Sequence, residues 1–225
     1  MPLAMSDLEV FWGSGSQPAW AVLLTLELKQ IPYLSRLLSF SAGEHKTPEF
    51  LKLNPRHKVP VIRDGEFVLN ESLAIIAYLD KKVPEPALFG RTAEQTGSIW
   101  RTLLEFQNHV LPSLREQVVR PIYNGKVEEN RQSIEEHMLE VHKELALYEA
   151  TLSKQPWLVG SSVSAADLVI FPFFMSVMRA ATRPAAETLK LGMLPLDKTY
   201  PELAAWVTRV EALPGYDKTY PPHWR

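Results

Sequence analysis

Two short stretches within the first eighty residues combine residue types that could bind and activate a small ligand. The first, residues 13–18, reads Gly-Ser-Gly-Ser-Gln-Pro and lies between a predicted strand, Leu8–Trp12, and a helix that begins near Pro18. The free N–H groups of a helix start favour anions and thiolates, so a serine hydroxyl here could donate to a bound thiolate. A plain strand-to-helix turn is the alternative, and the stretch lacks the Lys and the spacing of a phosphate-binding P-loop.

The second stretch, residues 58–72, predicts a strand, a tight turn at Asp64-Gly65, a returning strand and then a helix. Ser72 or Asn70 can cap that helix, whose free N–H groups and positive dipole end could receive a carboxylate. A strand edge beside such a helix start has the outline of a site for a peptide-sized ligand. An ordinary hairpin followed by a capped helix would give the same pattern.

These stretches belong to a predicted order of strand, helix, strand, short helical piece, hairpin and helix, which is typical of a small thioredoxin-like domain with a mixed sheet. Two prolines and a glycine between Val83 and Gly90 then indicate a linker. Apolar residues recur at helical spacing in everything that follows. We therefore predict an α/β thioredoxin-like domain over residues 6–83, a linker over 84–92 and an all-α bundle over 93–225.

One helix start in the second half has a strong capping signal. Ser164 is followed three residues later by Asp167, a variant of the capping box, and then by the apolar run Leu168–Met178. A buried helix needs such a start because its first N–H groups cannot reach water. We expect this pair to stabilise the fold and to take no part in chemistry.

The composition excludes several classes of protein. Hydrophobic residues make up 46% of the chain and the net charge is −2, with an isoelectric point near 6.3, so neither nucleic acid nor an anionic membrane is an expected partner. The chain has no cysteine, which excludes disulfides, thiolate metal sites and cysteine nucleophiles. The six histidines show no metal-ligand spacing, so we predict no metal. No signal peptide or membrane span is apparent, and a cytoplasmic location is the expectation.

The pair Val59-Pro60, with Asn70-Glu71-Ser72 about ten residues later, resembles the glutathione-binding core of the glutathione transferase family. The resemblance implies that Pro60 follows a cis bond and that the backbone of Val59 pairs with the cysteinyl part of glutathione. It also implies that Glu71 and Ser72 hold the γ-glutamyl end.

The serine-rich stretch carries the resemblance further. Ser16-Gln17-Pro18 is similar to the catalytic Ser-Gln-Pro of theta-class transferases, and residues 11–20 are more similar still to the rho class of fishes. Both comparisons assign the catalytic role to Ser16, with Ser14 as the fallback. By the same resemblance His45 and Lys58 reach the glycyl end of glutathione. The arginine that these relatives carry at the helix start is absent, since Trp20 and Ala21 stand in its neighbourhood.

The resemblance implies an enzyme in which the glutathione thiolate attacks a hydrophobic electrophile, with glutathione as co-substrate and with a homodimer as the assembly. Trp12, His109 and Tyr123 are the candidates for the electrophile site. One alternative is another glutathione-dependent enzyme, an isomerase or a peroxidase, although zeta-class isomerases carry Ser-Ser-Cys where this chain has Ser16-Gln17-Pro18. The other is a non-catalytic interaction protein with a transferase-like fold, and the presence of Ser16, Glu71 and Ser72 together argues against it.

Overall fold

The computed structural model describes residues 8–224, which divide into two compact units. Residues 8–88 and 212–224 form the first unit, and residues 89–211 form the second. The first unit begins with strands β1 Leu8–Trp12, β2 Leu34–Leu37, β3 Val61–Asp64 and β4 Phe67–Asn70, and with helices α1 Gln17–Leu28, α2 Pro48–Leu53 and α3 Ser72–Lys82. The second unit contains α4 Ala93–Glu105, α5 Arg120–Tyr123, α6 Val127–Leu152, α7 Ala165–Ala181, α8 Leu196–Thr199 and α9 Pro201–Glu211, and α10 Tyr216–Thr219 returns to the first.

The sheet of the first unit has the strand order β2-β1-β3-β4. β1 runs parallel to β2 and antiparallel to β3, and β3 and β4 form an antiparallel hairpin through the predicted turn at Asp64-Gly65. Gly65 has a φ of 58°, a conformation that glycine adopts at no steric cost. This is the thioredoxin-like order of elements that the sequence predicted.

A buried carboxylate connects three neighbouring strands, β2, β1 and β3. Glu9 of β1 is 6% exposed and forms ion pairs with Arg36 of β2 and Arg63 of β3. Burial raises the pKa of Glu9, but the hydrogen bonds from the two guanidinium groups outweigh it and the net pKa is lowered.

The C-terminal segment differs from the sequence-based assignment, which placed all of residues 93–225 in the helical domain. Residues 212–224 instead pack with the sheet unit, where the rings of Tyr216 and Tyr220 lie 6.2 and 5.7 Å from the ring of Trp20 in α1. The Trp20 indole also donates to the Thr219 hydroxyl at 2.9 Å. Every residue of α1 from Ala19 to Leu26 is buried, so the helix is covered on all of its sides, and the aromatic tail supplies part of that cover.

The second unit is helical, as predicted. After α4 the chain stays helical through Pro112, in two π-helical segments, Phe106–Val110 and Pro112–Val119. The π-helical turns change the hydrogen-bond register, and Pro112 at a segment start lacks the N–H that would need a partner. No helix in the described residues is long and apolar enough to span a membrane.

The start of α7 contains the capping box that the sequence predicted. The Asp167 carboxylate is fully buried and accepts from the Ser164 N–H at 2.9 Å and the Ser164 hydroxyl at 2.8 Å. It also accepts from the Leu158 N–H and the Trp206 indole, both at 2.9 Å. Burial raises the pKa of Asp167, and these four hydrogen bonds oppose the shift.

Candidate active site

The sheet register brings the candidate segments to one edge of the sheet. Phe11 of β1 pairs with Val61, and Val61 pairs with Asn70, so β1 and β4 end where β3 begins. The parallel pair Trp12 and Leu37 brings the end of β2 to the same edge. The serine loop, the chain before Val61 and the start of α3 are therefore neighbours, although they are far apart in sequence.

The serine loop presents two hydroxyls with different surroundings. Ser16 is the N-cap of α1, and its Oγ accepts from the Ala19 N–H at 3.4 Å. This contact occupies a lone pair and leaves the Ser16 hydroxyl hydrogen, for which residues 8–224 offer no acceptor within hydrogen-bond distance. Ser14 Oγ lies 2.6 Å from Nδ1 of His223, a contact that the sequence did not predict. Both serines are half-buried.

An aromatic ring connects this loop with His45. Phe40 lies so close to Gly13 that a Cβ there would clash with Cζ of its ring, so the ring can occupy this position only beside a glycine. The Phe40 ring also meets the imidazole of His45 edge to face, with centroids 5.1 Å apart. Nδ1 of His45 is buried and has no hydrogen-bond partner among residues 8–224, so it can still bind a polar ligand group.

The chain before β3 leaves its backbone available for a ligand. The Val59–Pro60 peptide bond is cis, and neither the N–H nor the C=O of Val59 has a hydrogen-bond partner among the described residues. Asn54, which is 3% exposed, shapes the approach by donating to the Lys58 carbonyl at 2.7 Å. The Lys58 ammonium is exposed and forms no ion pair within residues 8–224.

The start of α3 differs from its expected capped form. Neither Ser72 nor Asn70 is the N-cap; that position belongs to Glu71, whose side chain makes no capping hydrogen bond. Glu71 has φ 69° and ψ 111°, a strained conformation for a residue with a side chain. Ser72 is therefore the first residue of an eleven-residue helix, and the open N–H groups beside it can bind a carboxylate.

The three electrophile-site candidates lie in both units. Trp12 ends β1, and its indole donates to the Ser35 hydroxyl at 2.8 Å. His109 is exposed in the π-helical segment after α4. Tyr123 ends α5, with the Arg183 guanidinium 4.5 Å from its ring centroid and with a buried hydroxyl that has no partner in the described chain. Burial raises the pKa of Tyr123, and the charges of Arg179 and Arg183 oppose the shift.

Three residues of the sheet edge were missed by the sequence reasoning. Asn54 had a local signal, because Asn54-Pro55 is a turn dipeptide that could have marked a loop-shaping amide. Phe40 and His223 had no local signal, since their contacts with Gly13 and Ser14 depend on tertiary structure. Together the edge offers a hydroxyl donor at one helix start, a free backbone beside it and an open second helix start, which suits a ligand with a thiol, a peptide bond and a carboxylate.

Sequence models of two protein domains match this chain. The glutathione S-transferase N-terminal domain matches residues 16–82, and the glutathione S-transferase C-terminal domain matches residues 111–214. Together they cover more than half of the chain. The chain belongs to the glutathione S-transferase family.

Individual relatives agree with this membership. Glutathione S-transferase A of Pleuronectes platessa is 31% identical over 97% of this chain and 93% of its own length. Glutathione S-transferase theta-1 of Bos taurus is 29% identical over 92% of this chain and 84% of its own. The crystal structure of a glutathione S-transferase from the Antarctic clam Laternula elliptica superposes with a TM-score of 0.82 at 31% identity, covering 97% of this chain and 94% of the clam protein.

These findings confirm the predicted fold and the predicted class of enzyme. The transferase has the N- and C-terminal domains of its family, and the family uses glutathione as a substrate. The alternatives of an isomerase, a peroxidase or a non-catalytic protein are not favoured. Among residues 8–224 no group of three or more His, Cys, Asp or Glu side chains is arranged to hold a metal ion.

Proposed function

We propose that the transferase activates glutathione through Ser16, which donates its hydroxyl hydrogen to the thiolate sulfur. The observation that supports this role most directly is the uncommitted hydroxyl hydrogen of Ser16 at the N-terminus of α1. A free thiol has a pKa of about 8.5, so little is ionised at neutral pH. One charge-assisted hydrogen bond contributes about 1.5–3 kcal/mol, enough to lower that pKa by roughly one to two units, and the helix dipole adds to it.

The rest of glutathione follows the sheet edge. The free N–H and C=O of Val59, next to the cis Pro60, pair with the cysteinyl backbone. The open start of α3 receives the γ-glutamyl carboxylate, with Ser72 donating to it and Glu71 accepting from the γ-glutamyl ammonium. His45 and Lys58 pair with the glycyl carboxylate, and the exposed ammonium of Lys58 and the unpaired Nδ1 of His45 support that assignment.

In the reaction, a lone pair of the thiolate sulfur forms a bond to an electrophilic carbon, and the leaving group departs with the electrons of its own bond. We assign the hydrophobic co-substrate to Trp12, His109 and Tyr123. The unpaired Tyr123 hydroxyl can donate to a polar group of the electrophile.

We also propose a homodimer in the cytoplasm. Large apolar side chains that a monomer would leave in water support the dimer, among them Leu104 at 47%, Leu147 at 61% and Phe67 at 47% exposure. Sedimentation equilibrium tests the assembly. Leu147→Glu is expected to weaken the dimer, and Leu147→Met, which keeps an apolar side chain at the same position, serves as the control.

Isothermal titration with glutathione is the first test of the site, and we expect one site per subunit. Ser16→Ala should then lower kcat by about 10- to 150-fold while the Kd for glutathione stays nearly constant, because the hydroxyl acts on the thiolate. Ser14→Ala is the matched control, with a smaller expected loss. A full loss in Ser14→Ala together with normal turnover in Ser16→Ala would reverse the assignment, and absence of binding at millimolar glutathione would contradict the function itself.

A further inference from the structure

The C-terminal tail reaches the serine loop and is held there by several contacts. The Trp20 indole donates to Thr219, and the Trp20 ring lies 5.4 Å from the ring of Trp224, nearly perpendicular to it. Lys218 pairs with Glu27 of α1 at 3.1 Å. These contacts hold the segment that contains His223 and Trp224 against the start of α1.

His223 contacts two residues of the serine loop. Its Nδ1 lies 2.6 Å from Ser14 Oγ. A Cβ on Gly15 would lie 2.8 Å from Cε1 of His223, so the loop can come this close only because residue 15 is glycine, which also adopts a φ of 82°. Both Ser14 and Gly15 of the serine loop are therefore compatible with the position of His223 in the tail.

The direction of the Ser14–His223 hydrogen bond follows from Trp224. An indole N–H can only donate, and that of Trp224 donates to Nε2 of His223 at 3.1 Å. Nε2 must then carry a lone pair, so the neutral imidazole carries its hydrogen on Nδ1 and donates it to Ser14 Oγ. His223 is thus no base for Ser14, and the Ser14 hydroxyl hydrogen is left to donate elsewhere.

We propose that His223 is a positioning residue, which turns the Ser14 hydroxyl outward as a second hydrogen-bond donor to the glutathione sulfur beside Ser16. This inference rests on the proposed function, because it needs a thiolate at the serine loop. In this arrangement Ser14 and Ser16 both receive an N–H on an oxygen lone pair, from His223 and from Ala19 respectively. Both hydroxyl hydrogens are then available to one anion.

The test compares two substitutions of the same residue. In His223→Asn the amide nitrogen can occupy the place of Nδ1 and keep the donor, whereas His223→Phe keeps a ring and removes it. The pKa of enzyme-bound glutathione is read from thiolate absorbance near 240 nm, together with kcat and the Kd for glutathione. His223→Phe should raise the pKa of the bound thiol and lower kcat by about 2- to 12-fold with little change in Kd, and His223→Asn should restore most of both.

The outcomes separate the two proposals. If the thiol bound to the unaltered enzyme titrates like free glutathione, the proposed function and this inference both fail. If that thiol is acidic and His223→Phe leaves its pKa and kcat unchanged, only the inference fails. Combining Ser14→Ala with His223→Phe should add no loss beyond Ser14→Ala alone, since the histidine acts through the serine, and additive losses would overturn its assigned role.

A measurement without glutathione tests the hydrogen bond itself. Long-range ¹H–¹⁵N correlation spectra of the labelled protein distinguish the two imidazole tautomers. We expect a protonated Nδ1 and an unprotonated Nε2 for His223, with a shift of the Nδ1 resonance in Ser14→Ala. The Nε2–H tautomer would overturn the inference.

Discussion

Two helix N-termini in this protein contain similar residues but differ in their capping hydrogen bonds, which are complete in one and absent in the other. At α7, Ser164 and Asp167 satisfy each other, and two further buried donors complete the Asp167 carboxylate. At α3, Glu71 and Ser72 make no capping hydrogen bond, and Glu71 is held in a strained conformation. A serine and an acidic residue thus stabilise the fold at one helix, and at the other they leave the first backbone N–H groups uncapped, where we propose that glutathione binds.

The difference indicates that the start of α7 stabilises this transferase and that the start of α3 destabilises it. A satisfied buried start contributes to folding, while an open one costs free energy until a ligand with the right charge completes it. Substitutions at the two starts should therefore separate stability from glutathione binding.

The largest effect is expected at α7. Asp167→Ala would leave the Leu158 N–H, the Trp206 indole and the Ser164 N–H without their buried acceptor, at about 1–3 kcal/mol each. We expect the free energy of unfolding in urea to fall by about 3 kcal/mol or more. Asp197→Ala, at a carboxylate 65% exposed in α8, is the control and should change little. A loss below about 1 kcal/mol at Asp167 would contradict the reading of this start as a stability element.

At α3 the loss should appear in binding instead. Ser72→Ala removes the hydroxyl that we propose as a donor to the γ-glutamyl carboxylate, and it should raise the Kd for glutathione by about 10- to 150-fold, with the free energy of unfolding unchanged. Ser164→Ala is the matched change at the other start and should lower stability by about 0.5–2 kcal/mol with the Kd unchanged. Titration calorimetry and urea unfolding of both variants would show whether Ser72→Ala affects only binding and Ser164→Ala only stability. Equal losses of stability in the two variants would contradict this difference between the helix starts.

Because Glu71 is strained at the start of α3, a substitution there is expected to increase the stability of the protein. Glu71→Gly allows the positive φ without a Cβ, so the free energy of unfolding should rise by about 1 kcal/mol, net of the greater entropy of glycine in the unfolded chain. Glutathione binding should weaken, because the Glu71 carboxylate is lost. Urea unfolding and calorimetry on one preparation measure both effects. A variant that is less stable than the parent would show that Glu71 is not strained.

The smallest effect concerns acid pH and the far end of α3. The hydrogen bond from Lys82, with a second from Tyr78, lowers the pKa of Asp64. A group with a lowered folded-state pKa stabilises the protein above its unfolded pKa of about 4, and this stability is lost as the pH falls through the folded value. The free energy of unfolding should therefore decrease below pH 4, and less steeply in Asp64→Asn. An unchanged slope in that variant would exclude Asp64 as a cause, and the raised pKa of Asp167 would act in the opposite direction.

The contrast between the two helix starts also explains which features of the fold and of the candidate site could be predicted from the sequence. The capping box of α7 depends on four consecutive residues, and the hairpin turn depends on two, Asp64 and Gly65. Both could therefore be predicted from the local sequence pattern. Glu71-Ser72 was recognised by family resemblance, but its open, strained geometry was not, because local rules favour a capped start. The contact between Ser14 and His223 joins positions 209 residues apart, and no local sequence pattern predicts it.

The docking of residues 212–224 beside α1 also bears on the order in which the protein is made. The strands and helices of residues 8–88 leave the ribosome first, but their serine loop is completed only when His223 has been added. At typical synthesis rates the intervening residues take on the order of ten seconds. During that interval the nascent chain holds all of its sheet, but Ser14 lacks the contact with His223 that we propose for thiol activation, so this contribution can appear only after residue 223 has been synthesised.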